Sequence, residues 1–197
     1  MLSREKPITP LDACYFLTLN TVDKIDLFVR PAYKQVITDG LNHFIHTCGL
    51  NLYAWCLMSS HLHLILRTRD AAAPAYFERD FKKYTTPALL KTIETEMDLR
   101  RYWMMKRFEE YSKSLRHLEK YHVWQNCSSP FRIDQEPRLL MDRIVHVHEN
   151  PVREGIVDQP EAYLFSSARD YSGIHGLVDV KVVQPQGLFV VKRLSAN

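Results

Sequence analysis

Cysteine is scarce in this 197-residue chain: Cys14, Cys48, Cys56 and Cys127 stand far apart, and no two form a Cys-x-x-Cys pair. That spacing argues against a zinc knuckle and suits reduced, mostly buried thiols in a cytoplasmic protein. No apolar run reaches the length needed to cross a bilayer, so no membrane partner is expected. No continuous apolar segment follows the first residues, so a secretory leader is not expected either. Internal repeats and low-complexity linkers are missing. Net charge is only +3, which by itself neither argues for nor against nucleic acid.

What is present is ordinary globular material, 46% hydrophobic and 25% charged. A chain of this size can bury a full core and is expected to form one domain over residues 1–197. The positive charge is unevenly spread. Between Arg79 and Lys120, eleven Lys/Arg stand against seven Asp/Glu. A phosphate-facing helical region has this composition, and so does a solvated helical surface.

Cys14 to Thr21 reads as a first strand. Pro31 suits the first position of a helix, with Val36, Ile37, Leu41, Phe44, Ile45 and Cys48 at helical spacing and Gly49 as its stop. Strands follow at about Leu50 to Met58 and His61 to Thr68, joined by a Ser59-Ser60 turn. Strand, helix, strand, strand is the first half of a ferredoxin-like α/β sandwich with an antiparallel central sheet, so the expected class is α+β with extra helices. A second helix is expected from Pro74 with Tyr76, Phe77, Phe81 and Tyr84. A third spans Leu99 to Lys120, its stripe of Trp103, Met104, Phe108, Tyr111, Leu115 and Leu118 reading as core or dimer surface. His122 to Ile133 is strand-like but broken at Ser128-Ser129-Pro130. A last helix, Glu136 to Glu149, is expected to end before Pro151, which disfavours helical geometry at Asn150.

The chemistry centres on His61-Leu62-His63. In a strand, residues i and i+2 share a face, so both imidazoles project together while Leu62 points into a core. Two imidazoles are half of a divalent-metal site, or two histidines hydrogen-bonded within a packed sheet. On the last helix, His146 and Asn150 stand one turn apart on one face.

Ser60-His61-Leu62-His63-Leu64-Ile65-Leu66, taken with Ile144-Val145-His146-Val147-His148-Glu149-Asn150-Pro151-Val152-Arg153-Glu154-Gly155-Ile156-Val157, resembles the REP-associated tyrosine transposases. These are single-tyrosine members of the His-hydrophobe-His (HUH) nuclease class. Phe81-Lys82-Lys83-Tyr84-Thr85-Thr86, Val123-Trp124-Gln125 and the segment from Glu161 to Tyr171 are similar to further family motifs. The likeness runs over about residues 13 to 183 and leaves residues 184–197 as a C-terminal extension. It implies a homodimer acting on single-stranded or hairpin DNA. It also implies a site in which His61, His63 and Asn150 bind Mg²⁺ or Mn²⁺ during DNA cleavage and strand transfer.

One position departs from the family. The nucleophilic tyrosine belongs four residues before the Asn of Asn-Pro-Val, and here that residue is His146. An imidazole can attack phosphorus, but its reach is shorter than a phenol's and the phosphoramidate is more labile. As ligand, as general base or as an inert residue, His146 would leave the covalent step without its usual group. Tyr84, beside two lysines that favour a phenolate, is a substitute nucleophile or a packed aromatic. Arg67, Arg69, Lys82, Lys83 and Arg153 are candidate phosphate contacts. Trp124 and Gln125 would stack on and hydrogen-bond a base, with burial of the Trp as the simpler alternative. His148 is expected to bond locally, and Tyr163 and Tyr171 to pack. Three functions follow: a transposase-like nuclease, a DNA-binding derivative without strand transfer, and a metal-dependent hydrolase on another substrate. The third has little support, because no carboxylate accompanies the histidines in sequence.

Overall fold

A computed structural model describes residues 13–68, 73–116, 119–126, 130–133 and 137–183. Among them are four strands and five helices: β1 (Ala13–Asn20), α1 (Pro31–Cys48), β2 (Asn51–Leu57), β3 (His61–Thr68), α2 (Ala73–Thr95), α3 (Arg101–Ser114), β4 (Phe131–Ile133), α4 (Pro137–Arg153) and α5 (Ala168–Tyr171). The strands form one sheet in the order β2-β3-β1-β4, with every pair antiparallel. Read from the other edge, this is the strand order of a ferredoxin-like sandwich, as the sequence pattern indicates.

Period-two alternation divides the sheet into two faces. Leu17 and Leu19 of β1 and Leu62, Leu64 and Leu66 of β3 join Tyr33, Ile37, Leu41 and Phe44 of α1 and Phe77 and Phe81 of α2 in one core. Gly40 lets the two helices approach: a Cβ there would come within 3.0 Å of the Thr85 methyl and 3.3 Å of the Phe81 ring. On the opposite face, Ile65 and Cys56 pack against Leu140, Ile144 and Val147, the apolar stripe of α4. Each of these buried aliphatics stabilises the α4 docking by roughly 1.5–3 kcal/mol. A bulge at Tyr53 resets the alternation in β2, so that Leu52 and Trp55 both reach the first core.

The outer edge of β2 is covered rather than exposed. Leu57 N donates to Phe165 O at 2.9 Å, Ser167 N to Trp55 O at 3.0 Å, and Lys181 N to Leu52 O at 2.8 Å. The hydroxyls of Tyr163 and Tyr171 donate to Leu57 O and Tyr53 O at 2.7 and 3.0 Å. Covering an edge strand in this way removes a template for unwanted pairing.

Two boundaries differ from the sequence-based expectation. Helix α4 continues through Pro151 to Arg153. Proline lacks the N–H that would bond the Val147 carbonyl. The Asn150 side chain supplies the missing donor, with Nδ2 donating to Val147 O at 3.2 Å and to His146 O at 2.9 Å. Helix α3 is shorter than expected, and its stripe is divided. Met104 and Phe108 are buried, whereas Leu99 is fully exposed at 101% and Trp103 is half exposed. Leu118, Cys127 and the 184–197 extension lie outside the described residues. No described helix is long and apolar enough to cross a membrane.

Candidate metal and DNA site

The β1–β3 register sets Asn20 opposite His61 and Thr18 opposite His63. The two imidazoles stand side by side on the α4 face of the sheet, ring centroids 4.6 Å apart and nearly perpendicular. His63 also stacks on Phe16, with centroids 5.5 Å apart. Each ring is tethered through Nδ1. His63 Nδ1 lies 2.9 Å from Thr18 Oγ1, and His61 Nδ1 lies 3.2 Å from Ser60 Oγ. A hydroxyl can accept from Nδ1–H, which leaves the Nε2 lone pair free. This is the outer-shell arrangement that orients a metal-binding histidine. Burial, with His61 and His146 nearby, pushes His63 down to about 3. Burial also lowers His61, while Glu154 pulls it back up. Both rings are therefore neutral near pH 7, the state in which imidazole ligates.

Asn150 repeats this division of labour. Its amide nitrogen is committed to the helix backbone, and among the described residues its Oδ1 accepts from no donor. The His61 and His63 Nε2 atoms and the Asn150 amide oxygen, one helical turn beyond His146, are the groups that a divalent cation would need here. Among the described residues no group of three or more His, Cys, Asp or Glu side chains is gathered for one.

His146 lies on the same helix, close enough to His63 to lower its basicity. Burial first, then Arg153 and Arg143, lower that of His146 itself. Its Nδ1 is 3.0 Å from Arg153 Nη1, and Arg153 Nη2 donates to Glu149 Oε2. Leu139, Asp142, Arg143 and Val145 complete a shallow depression around these three residues.

No family model matches this sequence, and no curated protein matches it. Solved structures do. The structure of the REP-associated tyrosine transposase bound to a REP hairpin superposes over 93% of this chain and 94% of that one, with a TM-score of 0.55 and 16% identity. The chain has the REP-associated tyrosine transposase fold. A proposed transposase from Deinococcus radiodurans matches over 74% of this chain and 96% of its own, at 15% identity and a TM-score of 0.38.

On this fold the other expected residues separate. Arg67 shares the histidine face of β3, about 13 Å along the strand from His63. Arg153 flanks His146. Tyr84 is on the other side of the sheet, 46% exposed, its ring stacked on His43 at 4.4 Å and edge-on to Phe44. It does not share the face of the histidine pair. Lys82 and Lys83 are also on α2. Lys82 is paired with Glu78 and donates to Gln125 O at 2.6 Å. Both lysines, with Arg79 and Lys120, rim a groove of about 860 Å³ between α2 and residues 119–126. Trp124 is 2% exposed, and its Nε1 donates to Thr85 Oγ1 at 3.0 Å. It is a core residue and not a stacking platform. Gln125 N pairs with Asn20 O at 2.9 Å, which extends the sheet beside β1 at the His61 end. Arg69 lies outside the described residues.

His148 does not bond locally. Its Nε2 lies 2.8 Å from Ser167 Oγ, and burial lowers its pKa to about 4. Sequence reasoning missed Thr18, Ser60 and Glu154. Ser60 adjoins the motif, but Thr18 and Glu154 reach it only through strand register and helix docking, which leave no short-range signal.

Proposed function

We propose that this chain binds single-stranded or hairpin DNA, and that His61, His63 and Asn150 hold Mg²⁺ or Mn²⁺ against a backbone phosphate. One observation carries the reading. The histidine pair keeps both Nε2 atoms free on the sheet face covered by α4, in a fold shared along 93% of the chain with a protein solved on a REP hairpin. A bound cation supplies charge stabilisation at the phosphate. Thr18 and Ser60 would orient the imidazoles, and Asn150, with its amide nitrogen committed to the helix backbone, would offer its oxygen. Arg67, Lys83 and Arg153 are the proposed phosphate contacts.

His146 favours the derivative that binds DNA without the phosphotyrosine step. The chain is proposed to retain recognition and the cation and to have lost the family's covalent intermediate. Titration of a hairpin-bearing single strand at several salt concentrations, with and without Mn²⁺, tests this. The expected result is salt-sensitive binding, with a slope of log affinity against log salt near −0.7 to −0.9 per phosphate contact. Undetectable binding at low salt, or indifference to salt, would reject DNA as the partner. Strand cleavage that requires Mn²⁺ and leaves DNA attached to the wild-type chain would reject loss of the covalent step.

A further inference from the structure

The family's nucleophile position is filled here by an imidazole whose hydrogen-bond partner fixes what it can do. His146, Glu149 and Arg153 are spaced i, i+3 and i+7 on α4 and fall on one flank of the helix. Arg153 bridges the other two, with Nη2 on Glu149 Oε2 and Nη1 3.0 Å from His146 Nδ1. A guanidinium has five N–H donors and no acceptor. The nitrogen it meets must therefore offer a lone pair, so in neutral His146 the ring proton sits on Nε2.

The contrast lies within the same site. His61 and His63 meet hydroxyls through Nδ1, and a hydroxyl can accept as well as donate. Those rings can keep the proton on Nδ1 and leave Nε2 open. His146 cannot while Arg153 is in place. Three histidines on one sheet-and-helix face thus differ: two can present an Nε2 lone pair, and one is held with an Nε2–H.

We propose that Arg153 is a positioning residue that locks His146 as its Nε2–H tautomer, so that position 146 donates a hydrogen bond to a DNA phosphate oxygen. It then serves neither as nucleophile, nor as general base, nor as a metal ligand. An Nε2–H has no lone pair with which to attack phosphorus or accept a proton, and the Nδ1 lone pair is already engaged by Arg153. Glu149 holds the guanidinium in register and accepts from its second arm. The inference rests on the DNA-binding reading above and assigns this residue its role within it.

Nitrogen-15 correlation spectra of the metal-free, DNA-free protein near neutral pH test the lock. In the wild type, His146 should show a fully protonated Nε2 and an unprotonated Nδ1. In Arg153→Ala the two resonances should move toward each other as the second tautomer is populated. A wild-type Nδ1–H signal, or a wild-type mixture equal to that of Arg153→Ala, would overturn the lock. This result does not depend on whether DNA binds, so it fails separately from the functional reading.

Hairpin affinity tests the donor. His146→Gln, which offers an amide donor near the Nε2 position, should bind about as well as the wild type. His146→Ala should bind about ten- to a hundredfold more weakly, the value of one hydrogen bond to a charged group. Equal affinity for His146→Ala and wild type would overturn the donor role.

Discussion

Asn150 is asked to do two things at once, and substitution separates them. Its Nδ2 takes the carbonyls of Val147 and His146, one of which Pro151 leaves without its helical donor. Its Oδ1 is the proposed third ligand. Asn150→Ala removes two donors at about 0.5–1.5 kcal/mol each. Alanine recovers about 0.6 kcal/mol in helix propensity. The net loss is about 0.4–2.4 kcal/mol, or a Tm lower by about 1–10 °C for a chain of this size. Asn150→Asp loses the same donors without that recovery. It also places a negative charge at the helix C-terminus, which costs about 0.3–1 kcal/mol more. In EDTA it should therefore be the least stable of the three proteins. With Mn²⁺ the order of response reverses, because a carboxylate is a stronger oxygen ligand than an amide. A tenfold gain in affinity adds about 1.4 kcal/mol at saturating metal. Thermal unfolding in EDTA and across a Mn²⁺ titration measures both effects. His61→Ala with His63→Ala should abolish the Mn²⁺ response in every background. Wild-type stability of Asn150→Ala in EDTA would refute the backbone role. A Mn²⁺ response of Asn150→Asp no larger than that of Asn150→Ala would refute the ligand role.

His148 has a folded pKa of about 4, below the ordinary histidine value of 6.5. Below pH 6.5 the unfolded chain takes the proton first, so stability is full above 6.5 and falls toward pH 4 by at most about 1.4 kcal/mol per pH unit. Unfolding free energies across that window should flatten in His148→Gln, and an unchanged slope would place the sensitivity elsewhere. Trp124→Ala should cost about 3–5 kcal/mol in urea unfolding by emptying a core site, while any folded fraction keeps the wild-type salt slope for hairpin binding. A reduced slope would restore Trp124 to the DNA surface. His146→Tyr should regain a Mn²⁺-dependent phosphotyrosine adduct, located by mass spectrometry. No adduct from that variant would mean that the site departs from the family at more than this position. An adduct of the wild type at Tyr84 would show that the nucleophile had moved.

Local chemistry was enough to read much of this molecule from its residues. Alternation along Leu62, His63, Leu64 and Ile65 determines that the two histidines share a face, because strand periodicity acts over neighbouring residues only. Pro31, the apolar spacing after it and Gly49 mark α1, and the left-handed φ of 67° at Gly49 is one that glycine adopts without strain. The departure at residue 146 is likewise visible in the chain alone. Other features were decided by long-range packing. Helix α4 passes Pro151 because a side chain replaces the lost backbone donor, which no propensity encodes. Trp124 and Tyr84 stand in motifs that invite a DNA role. Whether each is core or surface depends on where α2 and the 119–126 segment dock. The Nδ1 partners of the three histidines come from a neighbouring strand, an adjacent turn and a residue two helical turns away. Those partners determine which rings can keep a free Nε2 and which one is proposed to carry a proton there. Strand register and helix docking set that pattern, and neither is written in any one segment of the sequence.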